Sequence, residues 1–155
     1  NEAVRHFKDN FRQEGFVDNG IHKWKEVKRR DPSSRWYGFE YKGQRRLKGK
    51  GKPKQKTNFS QAATQRKILT GSSGELQDSL RYKVNPASGA NVSVSITSDK
   101  PYAVVQNEGG PIKVFGKAST ILPARPFVGH SKELDVKIEE IVQEHWESFI
   151  QSSNK

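Results

Sequence analysis

Leu80-Arg81-Tyr82-Lys83-Val84-Asn85 and, a few residues on, Asn91-Val92-Ser93-Val94-Ser95-Ile96-Thr97 form the stretch that decides the fold. In the first run Leu80, Tyr82 and Val84 alternate with polar residues. In the second Val92, Val94 and Ile96 alternate with Ser93, Ser95 and Thr97. A period of two puts every second side chain on the same face of a strand. Two such runs, separated by the turn-forming segment from Pro86 to Ala90, predict an antiparallel hairpin with one buried face.

Working outward from the hairpin, helices are expected on both sides. Downstream, Pro101 suits the first turn of a helix containing Tyr102, Val105 and Gln106, which Gly109-Gly110 ends. Ile112 to Phe115 reads as a further strand. From Ser131 as N-cap, Leu134, Ile138, Ile141, Val142, His145, Phe149 and Ile150 hold one stripe of a long terminal helix. Upstream, Ser72 and Glu75 match a capping box, so a short helix bearing Leu76 and Leu80 should follow. Residues 1–14 read as an amphipathic helix with Val4, Phe7 and Phe11 at helical spacing and Gly15 as its stop. Phe16, Ile21, Trp24 and Val27 are apolar anchors in a polar stretch, and Asp31-Pro32-Ser33-Ser34 is a turn. Trp36, Tyr37, Phe39 and Tyr41 are read either as a short strand or as the aromatic base of a loop. The expected architecture is α+β: a small antiparallel sheet packed against an N-terminal and a long C-terminal helix, in a single domain over residues 1–155.

The charge is concentrated in one segment. The chain carries 28 Lys and Arg against 17 Asp and Glu, a net of +11. Ten of the basic residues lie between Tyr41 and Gly74 with no acid among them; without these ten, 18 bases face 17 acids. Lys42, Arg45, Arg46, Lys48, Lys50, Lys52, Lys54 and Lys56 alternate closely with Gly43, Gly49, Gly51 and Pro53. Such a segment cannot bury a face, and its like charges repel, so a long flexible basic loop is expected over 42–56. Two readings of it stay open: a solvated arm that keeps the protein soluble, and an arm that touches nucleic-acid phosphates.

Only 32% of residues are hydrophobic and the mean hydropathy is −0.91, so the core should be small. Fifteen aromatic residues still argue against full disorder. With no cysteine, disulfides, thiolate metal sites and Cys catalysis fall outside this sequence's repertoire. No apolar run approaches the roughly 18 residues that span a membrane, and no secretory signal is visible. His6, His22, His130 and His145 lack metal-ligand spacing. Glu139, Glu140 and Glu144 read as the solvated face of a helix rather than an acid–base pair. Gly71-Ser72-Ser73-Gly74 matches neither a phosphate-binding loop nor a nucleophile elbow. Neither catalysis nor a cofactor is therefore expected.

Three stretches, in order, resemble one family. Leu69-Thr70-Gly71 with Leu76-Gln77-Asp78-Ser79-Leu80 is similar to the "L-x-x-T-G-x-L-x-x-S" segment of phage virion morphogenesis proteins. Tyr102-Ala103-Val104-Val105-Gln106-Asn107-Glu108-Gly109-Gly110 resembles their "Y-A-x-x-H-x-x-G-G". Pro123-Ala124-Arg125-Pro126-Phe127-Val128-Gly129 resembles their "P-A-R-P-F-L-G", ahead of a terminal helix. The opening helix with Gly15-Phe16, and Trp24, also fit. The chain departs from the pattern in two places: Gln106 stands where His is usual, and Ser73-Gly74 is an extra pair within the first motif. The resemblance covers tail-completion proteins of Mu-like phages and, more distantly, lambdoid tail components. It implies a structural role in tail completion or head–tail joining, in the virion and in the bacterial host cytoplasm during assembly. The partners it implies are other copies in a ring and further tail or neck proteins. No catalytic residues come with it. Gly71, Tyr102, Gly109, Gly110, Arg125 and Phe127 are the candidate motif and interface residues, with Tyr102 and Phe127 as core or interface anchors. Arg125 is read as pairing with a carboxylate, either of a neighbouring subunit or of its own chain. The alternative to this reading is a nucleic-acid-binding protein that uses the basic segment 42–67.

Overall fold

Val4, Phe7 and Phe11 do share the inner face of a helix, α1 (Glu2–Gln13), and Phe11 is completely buried. The chain reverses at Glu14, whose φ is +51°, into β1 (Gly15–Val17) and β2 (Ile21–Lys23). A Cβ at Gly15 would lie 2.7 Å from His22 O, so the strand pairing at that point requires glycine. The computed structural model describes residues 2–40, 59–71, 73–88, 91–114 and 118–153. The remaining elements in chain order are α2 (Gln61–Gln65), α3 (Glu75–Asp78), β3 (Arg81–Ser88), β4 (Asn91–Thr97), α4 (Ala103–Glu108), β5 (Gly110–Val114), β6 (Ala118–Leu122) and α5 (Lys132–Ser153).

The α+β class holds. β3 and β4 pair antiparallel, with Tyr82 opposite Ile96 and Val84 opposite Val94. Several details differ from the sequence expectation. The described strands form three separate two-stranded ribbons, β1–β2, β3–β4 and β5–β6, rather than one sheet. β3 runs through Pro86 to Ser88 across an irregularity in register after Asn85, so the turn is shorter than the Pro86–Ala90 segment. The apolar face of this hairpin is covered only at its base: Leu80 is buried and Ile96 packs against the core, while Tyr82, Val84 and Val94 are about half exposed. α3 starts from Gly74, at φ +71°, rather than from Ser72, which lies outside the described residues; Ser73 Oγ bonds Glu75 Oε1 instead (3.0 Å).

The core gathers around α1. Phe11 meets Trp24 edge-on at 5.7 Å and Phe127 at 5.1 Å between ring centroids. Phe7, Ile68, Leu76, Leu80, Ala103 and Leu134 complete the cluster. Burying each large side chain of this kind is worth about 1.5–3 kcal/mol, so a small cluster carries most of the stability. Glu14 fastens its edge. Oε1 of that residue accepts from Arg30 Nη1 and from the Ile68 amide, both at 2.6 Å, while its carbonyl accepts from the Trp24 amide at 2.9 Å.

α5 begins as expected, with Ser131 Oγ accepting from the Leu134 amide at 3.3 Å. The Lys132 amide donates to Asp18 Oδ1, and Leu134 enters the core. Beyond that first turn the stripe is not packed on a sheet: Ile138, Ile141, Val142, Phe149 and Ile150 are all exposed.

Candidate assembly site

The site starts from the end of α4. Gly109 closes that helix at φ +75°, its amide donating to Val105 O. A Cβ there would fall 2.7 Å from Ala124 N and 2.8 Å from Leu122 O, so only glycine lets the helix end rest on the returning chain. Gly110, at φ +131°, turns directly into β5 and pairs with Leu122. The β5–β6 ribbon thereby brings Pro123 to Gly129 back alongside α4.

This returning segment is held by backbone bonds along its length. The Arg125 amide donates to Gln106 O at 3.0 Å. Asn107 Oδ1 accepts from the Phe127 and Val128 amides at 2.9 and 3.0 Å. Asn10 Nδ2 donates to Phe127 O, and Trp24 Nε1 to Pro126 O. Pro123 and Pro126 have no N–H to satisfy and hold φ near −65°, which suits an extended segment bonded mainly through its other groups.

The three motifs converge on one open cavity of about 460 Å³. Thr70, Gly71 and Leu76 of the first motif, Tyr102 and Gln106 of the second, and Arg125 of the third all line it. Arg29 adds a second guanidinium. Nε and Nη2 of Arg29 are committed to the carbonyls of Ala63, Arg66 and Lys67, and Arg125 Nε donates to Lys25 O. Burial lowers the pKa of both arginines. The charges of Arg30 and Arg66 lower Arg29 further, while Glu26 acts in the opposite direction on both. Glu75, also on the wall, has Lys100 Nζ 3.6 Å away. A cleft with one buried and one half-buried guanidinium beside apolar walls is suited to receiving an acidic or amphipathic segment. Among the described residues, no group of three or more His, Cys, Asp or Glu stands together as metal ligands.

The sequence-predicted residues divide accordingly. Gly71, Tyr102 and Arg125 meet at the cavity, and Gly109 and Gly110 set the approach that builds it. Phe127 is a core anchor, 2% exposed, whereas Tyr102 is 40% exposed at the surface. The partner shown for Arg125 is a carbonyl rather than a carboxylate. Lys42, Arg45, Arg46, Lys48, Lys50, Lys52, Lys54 and Lys56 lie outside the described residues. The flanks of that segment are tied in: Phe39 bridges to Phe59, Arg66 pairs with Glu40 at 2.8 Å, and Lys67 Nζ donates to Arg12 O. Trp36, Phe39 and Phe59 meet edge-on there, with Trp36 in a turn and Phe39 in the bridge, and Tyr41 lies outside the described residues.

Sequence reasoning missed Arg29, Asn10, Asn107 and Glu14. Asn10 did carry a signal, since it stands three residues after Phe7 on the apolar face of α1, where a polar residue needs a buried partner. Nothing local marks Arg29 or Glu14, because the partners of their side chains are 16 to 54 residues away.

No curated protein matches the chain, and neither does any solved structure. A family model does match. It covers residues 40–147, which takes in all three motifs, the cavity wall apart from Val27 and Arg29, and most of α5. By that match, the chain belongs to the phage virion morphogenesis family.

Proposed function

We propose that this chain acts in tail completion or head–tail joining, as a ring of identical copies that binds neighbouring tail or neck proteins. Its phage structural and assembly role follows from the family. The finer reading is carried by one observation: the three motifs converge on a rigidly bonded scaffold around an open, cation-lined cleft. Here the motif residues shape a surface that receives another chain, and the role is structural rather than catalytic. Virion incorporation and assembly in the host cytoplasm follow from the same reading. The test is removal of the gene from the producing phage. Particles with unjoined heads and tails, or with tails of uncontrolled length, rescued by the wild-type protein in trans, are expected. Normal yields of infectious virions without the protein would contradict the proposal.

A second reading is favoured by the charge pattern. Eight cations between Lys42 and Lys56 are accompanied by no acid, and Phe39 and Phe59, which flank that segment, are bridged to each other. In this reading the arm contacts DNA passing through the joint, and it is compatible with the first.

A further inference from the structure

Arg125 is only 5% exposed, yet part of its guanidinium has no answer within the chain. Nε donates to Lys25 O at 3.1 Å, while Nη1 and Nη2 have no partner among the described residues. Among those residues no fully buried side-chain nitrogen or oxygen lacks a partner. The two free groups therefore reach open space, and the space that Arg125 borders is the cleft. Nη1 of Arg29, on the same wall, is unengaged as well. So is the side-chain amide of Gln106, whose backbone carbonyl is bonded to the Arg125 amide.

The acids near the cleft are already taken. Glu26 Oε1 accepts from the Val27 amide at 2.8 Å and lies 3.5 Å from Arg30 Nε. Glu75 is held by Ser73 Oγ at 3.0 Å and by Lys100 Nζ at 3.6 Å. A guanidinium withdrawn from water without a counter-charge is costly, and a carboxylate brought to it relieves that cost. The planar fork of Nη1 and Nη2 matches the two oxygens of such a group. Around the fork the wall is apolar, with Val27, Ile68, Leu69, Leu76 and Leu122. A few polar groups set in apolar walls is the usual make-up of a ligand pocket. That combination selects a carboxylate next to a hydrophobic side chain. A nucleic-acid phosphate fits less well, because its neighbours along the strand are charged too and Glu75 stands on the wall.

We propose that the cleft is an acceptor pocket for a partner protein: Nη1 and Nη2 of Arg125 take the carboxylate of one Asp or Glu on an incoming segment, and the apolar wall takes the hydrophobic side chain beside it. The pocket deepens the assembly role proposed above and rests on it for the source of the segment, a neighbouring tail or neck protein.

The test uses the full chain and blocked tripeptides. Acetyl-Leu-Glu-Leu-amide is titrated into isotope-labelled protein and followed by NMR, beside acetyl-Leu-Gln-Leu-amide, acetyl-Gly-Glu-Gly-amide and inorganic phosphate. Saturating shifts at the amides of Thr70, Gln106 and Arg125 are expected with the first peptide, and the other three ligands should bind about tenfold or more weakly. Equal binding of the Glu and Gln peptides, shifts elsewhere, or phosphate bound as tightly as the first peptide would overturn the pocket. Gln106→Glu supplies the pocket with a carboxylate of its own. Its side chain makes no bond in the wild type, so the melting temperature should not fall, and binding of the first peptide should drop about tenfold or more. Wild-type affinity in this variant would overturn the proposal. Arg125→Lys keeps the charge and removes the fork, so it should lose affinity likewise; if it does not fold, Gln106→Glu decides. Complementation of the gene deletion separates the two levels. Absent peptide binding, with full rescue by Gln106→Glu, sinks the pocket and leaves the assembly role standing. Normal virions without the gene sink the assembly role, and the titration still judges the pocket.

Discussion

Gly109 and Gly71 separate two uses of glycine. Both have positive φ, +75° and +57°, but a Cβ meets the Ala124 and Leu122 backbone at Gly109 and nothing within 4 Å at Gly71. Gly71→Ala should therefore cost only the backbone strain of about 1–2 kcal/mol, while Gly109→Ala adds a clash with backbone that cannot move aside. Chemical denaturation of the two variants should rank Gly109→Ala as clearly the more destabilised; equal losses would refute the close approach. Glu14 gives a pH-dependent prediction. Burial raises its pKa, but the Ile68 amide, the Arg30 bond and the charges of Arg30 and Lys67 outweigh burial and hold it below the ordinary value. A depressed folded-state pKa contributes stability above the unfolded-state value, about 4.3, that is lost as pH falls through the folded-state value. Glu14→Gln should thus destabilise at pH 7, by about 1–3 kcal/mol from the weakened charged hydrogen bonds. Thermal melts at pH 7 and pH 3 should show the gap to wild type shrinking at the lower pH, and a constant gap would count against this account.

At the scale of elements, the residues flanking the basic segment are held to each other by contacts that do not involve it. The Phe39–Phe59 bridge, their ring contact at 5.5 Å, and the Glu40–Arg66 pair all lie outside Gly43–Lys54. Neighbouring antiparallel strands lie about 5 Å apart, so the seven residues left between Phe39 and Phe59 by deleting Gly43–Lys54 can span the gap. That deletion should leave the melting temperature nearly unchanged while abolishing binding to duplex DNA. Wild-type binding should weaken with salt at a log–log slope of about −0.9 per phosphate contact and differ little between sequences. Filter binding at two salt concentrations decides: equal DNA binding by both proteins, or none by the wild type at low salt, would leave the segment a solubility arm.

For the whole molecule, a small core around Phe11 supports three separate ribbons and a long helix held at its first turn. Exposed apolar side chains on α5 and on β3–β4 amount to more than the scattered hydrophobics of an ordinary monomer surface, and clustered exposure of this kind marks an interaction surface. Light scattering across a concentration series should show masses that are multiples of a single chain. A protein that remains monomeric throughout and also fails to join tail particles in a complementation assay would not be the ring component proposed.

The sequence by itself determined α1, the pairing of β3 with β4, the start of α5 at Ser131 and the family, because periodicity, caps and short motifs are local properties. Three-residue strands such as β1 and β2 have no period to detect, and β6 follows from its partner β5 rather than from its own pattern. The cavity was not legible either. Arg29, Asn10 and Asn107 each act through a partner 20 to 117 residues away, and such separations are closed only when Phe11, Trp24 and Phe127 pack together. The largest divergence is α5. Its stripe announces an apolar face, but a hydrophobic period records only that a face prefers to leave water. Whether the same chain covers that face is decided by where the rest of the fold ends, and here the fold ends at Leu134.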